Sequence, residues 1–187
     1  PQASEKFRVV ACAVGRAGAL SALPSQGAVP VADKLARCVR PGLTEEYSVS
    51  VDGVRQDFVV AQRPTGNGPL RVELEVTGAK AEALVNGARL VLAGSGRKIA
   101  YTRLRVTDAN GTELMARMEV TADGARRSRR FDAAETACAG NSPGALECCT
   151  VKRPEGRAPV LAVLVEDAAA TYPVRIDPTF SDADWIS

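Results

Sequence analysis

From Tyr47 onward, apolar and polar residues alternate one by one, and Gly, Pro, Asn and Asp interrupt the alternation at short intervals. A period of two puts successive side chains on opposite faces of an extended backbone, so this pattern specifies strands and excludes long amphipathic helices. In YSVSVDGVRQDFVVAQ the alternation runs through Tyr47, Val49 and Val51, turns at Asp52-Gly53 and resumes from Val54 to Ala61, which predicts a hairpin. LRVELEV places Leu70, Val72, Leu74 and Val76 on one face and Arg71, Glu73 and Glu75 on the other. ALVNGARLVL, Ala83 to Leu92, carries Asn-Gly between two apolar runs. The strongest hairpin signal lies between Lys98 and Thr121, where two alternating segments flank Asp108-Ala109-Asn110-Gly111 and Asn-Gly accepts the positive φ of a tight turn. Val160 to Val165 reads as a buried strand and Thr171 to Ile176 as a last strand stopped by Pro178. About eight or nine short strands with almost no helical period predict an all-β fold, an antiparallel β-sandwich.

Composition agrees with sheet packing. Among 187 residues only 4% are aromatic, so Val, Leu and Ala must build the core. Residues 1–45 are rich in Ala, Gly, Pro and Ser without a sustained period and read as an irregular arm or linker, with a turn or two of helix at Asp33 to Val39 ended by Pro41. Within that arm, KFRVVACAVGRAGALSALP has basic residues before a short apolar stretch broken by Arg16, a poor secretion signal at best. The sandwich domain is then expected over 46–187. It is interrupted at about 123–159 by an Arg- and Cys-rich insertion joining two strands, Leu114 to Val120 and Val160 to Val165, that would otherwise be neighbours.

Charge and residue types narrow the function. Twenty-four basic and 22 acidic side chains give a net charge of +2, which argues against nucleic acid as the partner, and no run reaches the ~18 apolar residues of a membrane span. The chain has no histidine, which removes imidazole bases, Ser-His and Cys-His pairs and imidazole metal ligands. The five cysteines, Cys12, Cys38, Cys138, Cys148 and Cys149, contain no CxxC; closure of a short loop between Cys138 and Cys148 or Cys149 would suit an oxidising compartment, and the connectivity stays open. No cofactor or metal is expected.

Three segments carry a family resemblance: VSVDGVRQDFVV, GRKIAYTRLRVTDANGTELMARMEV and VLVEDAAATYPVRIDPTFSDADWIS. Together they resemble a β-rich N-terminal region of large secreted or surface-exposed bacterial proteins, placed ahead of repeat arrays that look like β-propellers. The resemblance covers Tyr47 to Ser187 apart from the insertion, and it implies architecture and setting but no catalytic residues. It implies a structural or interaction module at the cell surface that leads or caps a larger protein, with DPTFSDADWIS as the junction to a following domain.

The runner-up is a small carbohydrate-active hydrolase. Glu73 and Glu75 project from one strand face about 6.5–7 Å apart, between the separations of retaining and inverting glycosidases, and paired carboxylates need no histidine. The alternative for the same pair is a solvated face on which Arg103 and Arg105 of a neighbouring strand lie opposite them. Asp177, Asp182 and Asp184 offer oxygen ligands without the spacing of a calcium loop, and Trp185 suits either a sugar ring or the following domain. RRSRR, Arg126 to Arg130, lacks the interleaved aromatics of a nucleic-acid strand site and reads as a protease-sensitive loop.

Overall fold

The computed structural model describes residues 6–24, 31–32, 35–50, 53–121 and 160–182. The expected sandwich is present: antiparallel strands form two sheets, with no helix among the described residues. The strands are β1 (Arg8–Arg16), β2 (Ala19–Ala22), β3 (Val31–Ala32), β4 (Leu35–Arg40), β5 (Leu43–Ser50), β6 (Gly53–Val60), β7 (Leu70–Thr77), β8 (Ala79–Leu84), β9 (Gly87–Leu92), β10 (Lys98–Thr107), β11 (Ala116–Thr121), β12 (Val160–Val165) and β13 (Val174–Asp182). The five-stranded sheet runs β11-β12-β7-β1-β2, and the eight-stranded sheet runs β3-β4-β5-β6-β13-β10-β9-β8.

The core lies between the inner faces. Leu70, Val72, Leu74 and Val76 of β7 are buried in strict alternation with partly exposed Arg71, Glu73 and Glu75, as the period requires. Leu161, Val163 and Val165 of β12 continue this face; Phe58, Val60, Leu90, Tyr101, Val174 and Ile176 answer it from the other sheet. Each such aliphatic side chain contributes about 1.5–3 kcal/mol by leaving water. Tyr101 stacks on Phe180 at 4.3 Å between ring centroids, and Phe7 meets Phe180 edge-on at 6.0 Å, which closes one end of the core.

The described residues within 1–45 are mostly strand. Residues 8–16 form β1, which lies between β7 and β2, and the stretch read as a poor secretion signal contains this core strand and β2. A register shift between Ala11 and Ala13 explains why no period was visible: Val9 and Ala11 face the core before it, Val14 after it, so the inward parity changes from odd to even. Of the expected helical turn at Asp33 to Val39, the described part, Leu35 to Val39, is strand, because residues 35–40 form β4 against β5. There Leu35 to Arg40 pair with Ser48 to Leu43, and hydrogen bonding to a neighbour outweighs a short local preference.

The segment from Lys98 to Thr121 is not a hairpin. Its turn is built as expected, with Asp108 Oδ1 accepting from the Asn110 and Thr112 N–H groups and Gly111 at φ +80°. Its strands, however, diverge into different sheets: β10 pairs with β9 and β13, β11 with β12, and a single bridge joins Thr107 to Glu113. Nor does the last strand stop at Pro178, which lies inside β13. Opposite it, the β10 register shifts between Thr102 and Arg105, with Arg103 at φ +54°. The missing proline donor thus coincides with a bulge that needs no regular ladder bond there.

The hairpin β5-β6 closes with Ser50 opposite Gly53, and β11 lies beside β12 with Thr121 opposite Val160, so the two strands on either side of 122–159 are neighbours as expected. The insertion itself, with Arg126 to Arg130, Cys138, Cys148 and Cys149, lies outside the described residues, as do Asp184 and Trp185. No helix among the described residues is long and apolar enough to cross a membrane.

Candidate functional site

Glu73 and Glu75 occupy the outer face of the five-stranded sheet, both partly exposed. Arg103 and Arg105 do not face them, because β10 belongs to the other sheet. Arg105 instead reaches Glu113 at 3.5 Å. The cation beside Glu73 is Arg71, two residues back on the same strand face, whose Nε donates to Glu73 at 3.0 Å and whose Nη1 lies 3.5 Å from Glu119. Asp177 is engaged by Arg55, and no cluster of potential metal ligands occurs among the described residues.

A concavity lies elsewhere, on the side of the sandwich where β1 and β4 face each other. It is a half-open cleft of about 470 Å³. Phe7, Val9, Val10, Ala36, Val54 and Phe180 supply apolar walls. Arg8, Arg37, Arg40, Cys38, Tyr47 and Glu45 supply the polar groups, and Glu45 is the one carboxylate among the lining residues.

A buried polar chain forms beneath this cleft. The Tyr101 hydroxyl donates to Gln56 Oε1 at 2.9 Å, Gln56 Nε2 donates to the Tyr47 oxygen at 2.9 Å, and the Tyr47 hydroxyl reaches Glu45 Oε2 at 3.4 Å. Arg40 Nη2 lies 2.7 Å from the same carboxylate oxygen, and both side chains are only 2% exposed. The angle there does not make an aligned hydrogen bond, so the pairing is chiefly coulombic. Burial, reinforced by the Glu45 charge, holds the Tyr47 hydroxyl well above its ordinary pKa, and complete burial does the same for Tyr101. Both phenols are therefore neutral donors at any ordinary pH.

The reason for placing charges here is the short reach of β2. Among the described residues it pairs with β1 only from Ala13 to Arg16, with one further bond from the Leu23 N–H to the Cys12 carbonyl, and no described strand pairs with the earlier part of this β1 edge. Side chains from the opposite sheet bond to its backbone instead. Gln56 Nε2 donates to the Val9 carbonyl at 3.0 Å, Arg40 Nη1 donates to the Ala11 carbonyl at 2.6 Å, and Glu45 Oε1 accepts the Ala11 N–H at 2.6 Å. The pair thus satisfies two buried backbone groups that would otherwise each cost about 1–3 kcal/mol.

A second buried pair fastens the loops elsewhere on the same sheet. Arg16 grips Asp167 through both terminal nitrogens, at 2.9 and 2.7 Å, and donates from Nε to the Pro64 carbonyl at 3.0 Å. Asp167 also accepts from the Tyr172 hydroxyl at 2.6 Å and from the Leu70 N–H at 3.3 Å. Burial alone would raise the Asp167 pKa, but the hydrogen bonds from Arg16 and Tyr172 outweigh it and hold the carboxyl below its ordinary value. On the outer face of the larger sheet, Arg175 bridges Glu46 at 2.8 Å and Asp57 at 2.6 Å. Asp57 is raised, by burial first and by neighbouring Asp177 second.

The positions of Arg40 and Glu45 give no sign of this role in the sequence: both fall in a segment without clear period, and their shared backbone partner Ala11 is distant in the chain. No thiol pairing is formed among the described cysteines; Cys12 Sγ lies 3.4 Å from the Glu73 carbonyl, and Cys38 lines the cleft. The fold defines the class of the protein as an antiparallel β-sandwich whose buried charges tie one sheet to the other. No family model, curated protein or solved structure matches the chain.

Proposed function

We propose that this chain is a non-enzymatic, extracytoplasmic β-sandwich module that leads or caps a larger bacterial surface protein and works through contact with a following domain or another surface protein. The observation that carries this reading is the state of Glu45. Among the described residues it is the one carboxylate lining the cleft, and its two oxygens are committed to the Ala11 N–H, Arg40 and Tyr47. A general base needs a lone pair within reach of a substrate proton, whereas this carboxylate serves the connection between sheets. The polar groups of the cleft thereby support a scaffold, and the surface setting rests on the resemblance of the strand segments.

Two measurements test it. Protease shaving of intact cells that express the natural full-length gene should release peptides of this region; recovery only from the cytoplasmic fraction would remove the surface setting. A panel of glycosides should show no turnover by the purified chain. Turnover that is lost in both Glu73→Gln and Glu75→Gln, with the fold intact by circular dichroism, would replace the module by a hydrolase.

A further inference from the structure

On the outer face of the larger sheet, one row of directly opposed residues is charged at every position from β4 to β10. Arg37 of β4 lies opposite Glu46 of β5, Glu46 opposite Asp57 of β6, and Asp177 of β13 opposite Arg105 of β10. Between β6 and β13, Phe58 pairs with Ile176 and Arg55 with Thr179, which sets Asp57 opposite Asp177. Three acids therefore stand side by side in the middle of the row, although like charges directly opposed on neighbouring strands destabilise a sheet. Diagonal arginines answer two of them fully. Arg175 Nη1 donates to Glu46 at 2.8 Å and to Asp57 Oδ2 at 2.6 Å, and Arg37 Nε donates to the other Glu46 oxygen at 2.8 Å. Arg55 donates from Nε and Nη2 to the two oxygens of Asp177, while its Nη2 stays 3.6 Å from Asp57 Oδ1, too far for a hydrogen bond. From β10 come Arg105, which reaches Glu113, and the bulged Arg103. Asp57 is only 8% exposed, and its Oδ1 is buried with no hydrogen-bond partner among the described residues.

We propose that Asp57 and Asp177 hold one proton between them, Asp57 Oδ1 donating to the Asp177 carboxylate, so that the seam of β6 and β13 tightens when the proton is bound and loosens when it is lost to solvent. An ionised Asp57 would set a bare, buried oxygen against a second carboxylate, and both burial and like charge favour the neutral acid. A proton on Oδ1 turns that orphan into a donor. Each Asp177 oxygen, already accepting from Arg55, keeps acceptor capacity for it. In keeping with this, burial first and then the charge of Asp177 and a hydrogen bond with it hold the Asp57 carboxyl above its ordinary 3.8, against the pull of Arg175 and Arg55. A carboxyl raised in this way binds its proton more tightly in the folded than in the unfolded chain. The stability it adds is present at low pH and lost as pH rises through the folded value, the reverse of Asp167. This device is independent of any surface role, and failure of either leaves the other standing.

Carbon-detected NMR titration of the full 187-residue chain, from neutrality to the onset of acid unfolding, reads each side-chain carboxyl. Asp57 should titrate above 3.8, and the Asp177 carboxyl carbon should respond in the same step, because strongly interacting acids titrate as a pair. In Asp177→Asn the amide donates in place of the shared proton, and the Asp57 midpoint should move down. A midpoint that stays where it was would show burial acting alone and overturn the proposal, as would an Asp57 step at or below 3.8 in the parent. Asp57→Asn keeps an oxygen for Arg175 and a permanent donor for Asp177. Urea unfolding should therefore show the parent losing stability relative to Asp57→Asn as pH rises through the shared step; a parent that gains instead would be an ordinary ion-paired carboxylate, against the proposal. Amide protection in β6 and β13, corrected for intrinsic exchange rates, should fall over that step in the parent and stay level in Asp57→Asn. Equal changes in both would remove the tightening of the seam. Should either variant not fold, the parent's shared step and its amide protection decide between the same two outcomes.

Discussion

The buried pair Arg40 and Glu45 makes a quantitative prediction that separates two roles for a buried charge. Glu45→Gln keeps an oxygen for the Ala11 N–H but leaves the Arg40 guanidinium, 2% exposed, without a counter-charge, so it should cost about 3–5 kcal/mol. Arg40→Met should cost a similar amount for the converse reason. Had the pair been isolated in the core, replacing both members by apolar residues would be neutral or stabilising by about 1–4 kcal/mol. Here the double replacement, Arg40→Met with Glu45→Leu, also strips the caps from the Ala11 N–H and C=O, at about 1–3 kcal/mol each. The two effects oppose each other and leave the double variant about 2 kcal/mol less stable than the parent, far less than the sum of the single losses. Urea unfolding followed by circular dichroism measures all four proteins, with an unchanged slope required so that midpoints report stability. A double variant as stable as the parent would show that Ala11 does not depend on these side chains.

Three further outcomes are expected. Asp167 has a folded-state pKa below the ordinary 3.8, so its contribution to stability is complete above that value and lost as pH falls through the folded pKa; melting temperatures taken between about pH 5 and about pH 2 should fall steeply, and Asp167→Asn should flatten that fall while lowering stability near neutrality. Gly87 sits at φ +146° with the space of a Cβ already filled by the Tyr101 carbonyl, so Gly87→Ala should destabilise by about 1–3 kcal/mol in thermal unfolding, whereas a neutral result would show that β9 and β10 can separate locally. Because Thr121 lies opposite Val160, replacing residues 122–159 by Asn-Gly should join β11 and β12 as a direct hairpin; a near-parental melting curve is expected, and loss of cooperative unfolding would show that the replaced segment belongs to the core.

What was legible in the sequence was local. Leu70 to Val76 announces a half-buried strand because its side chains alternate without interruption, and Asp108 to Gly111 announces a turn because Asp caps its own backbone and Gly accepts positive φ. Apolar Val160 to Val165 likewise announces a strand that pairs on both sides, here with β11 and β7. Partner choice was legible for the β5-β6 hairpin and for β11 and β12 across the insertion, but elsewhere it depends on which inner face each strand completes. The turn after β10 looks like any hairpin turn, yet its two strands enter opposite sheets. The β1 strand was hidden by one extra residue that reverses the parity of its core positions. Glu73 and Glu75 could be placed on one face from the sequence, but the arginine beside them, Arg71 rather than Arg103 or Arg105, could not be assigned until the sheets were separated. The same holds for Arg40 and Glu45, whose chemistry is set by their bonds to the Ala11 N–H and C=O. Alternation and turn chemistry act over a few residues and are written in composition; strand partners, edge caps and clefts arise from contacts between residues far apart in the chain, and only the packed pair of sheets decides them.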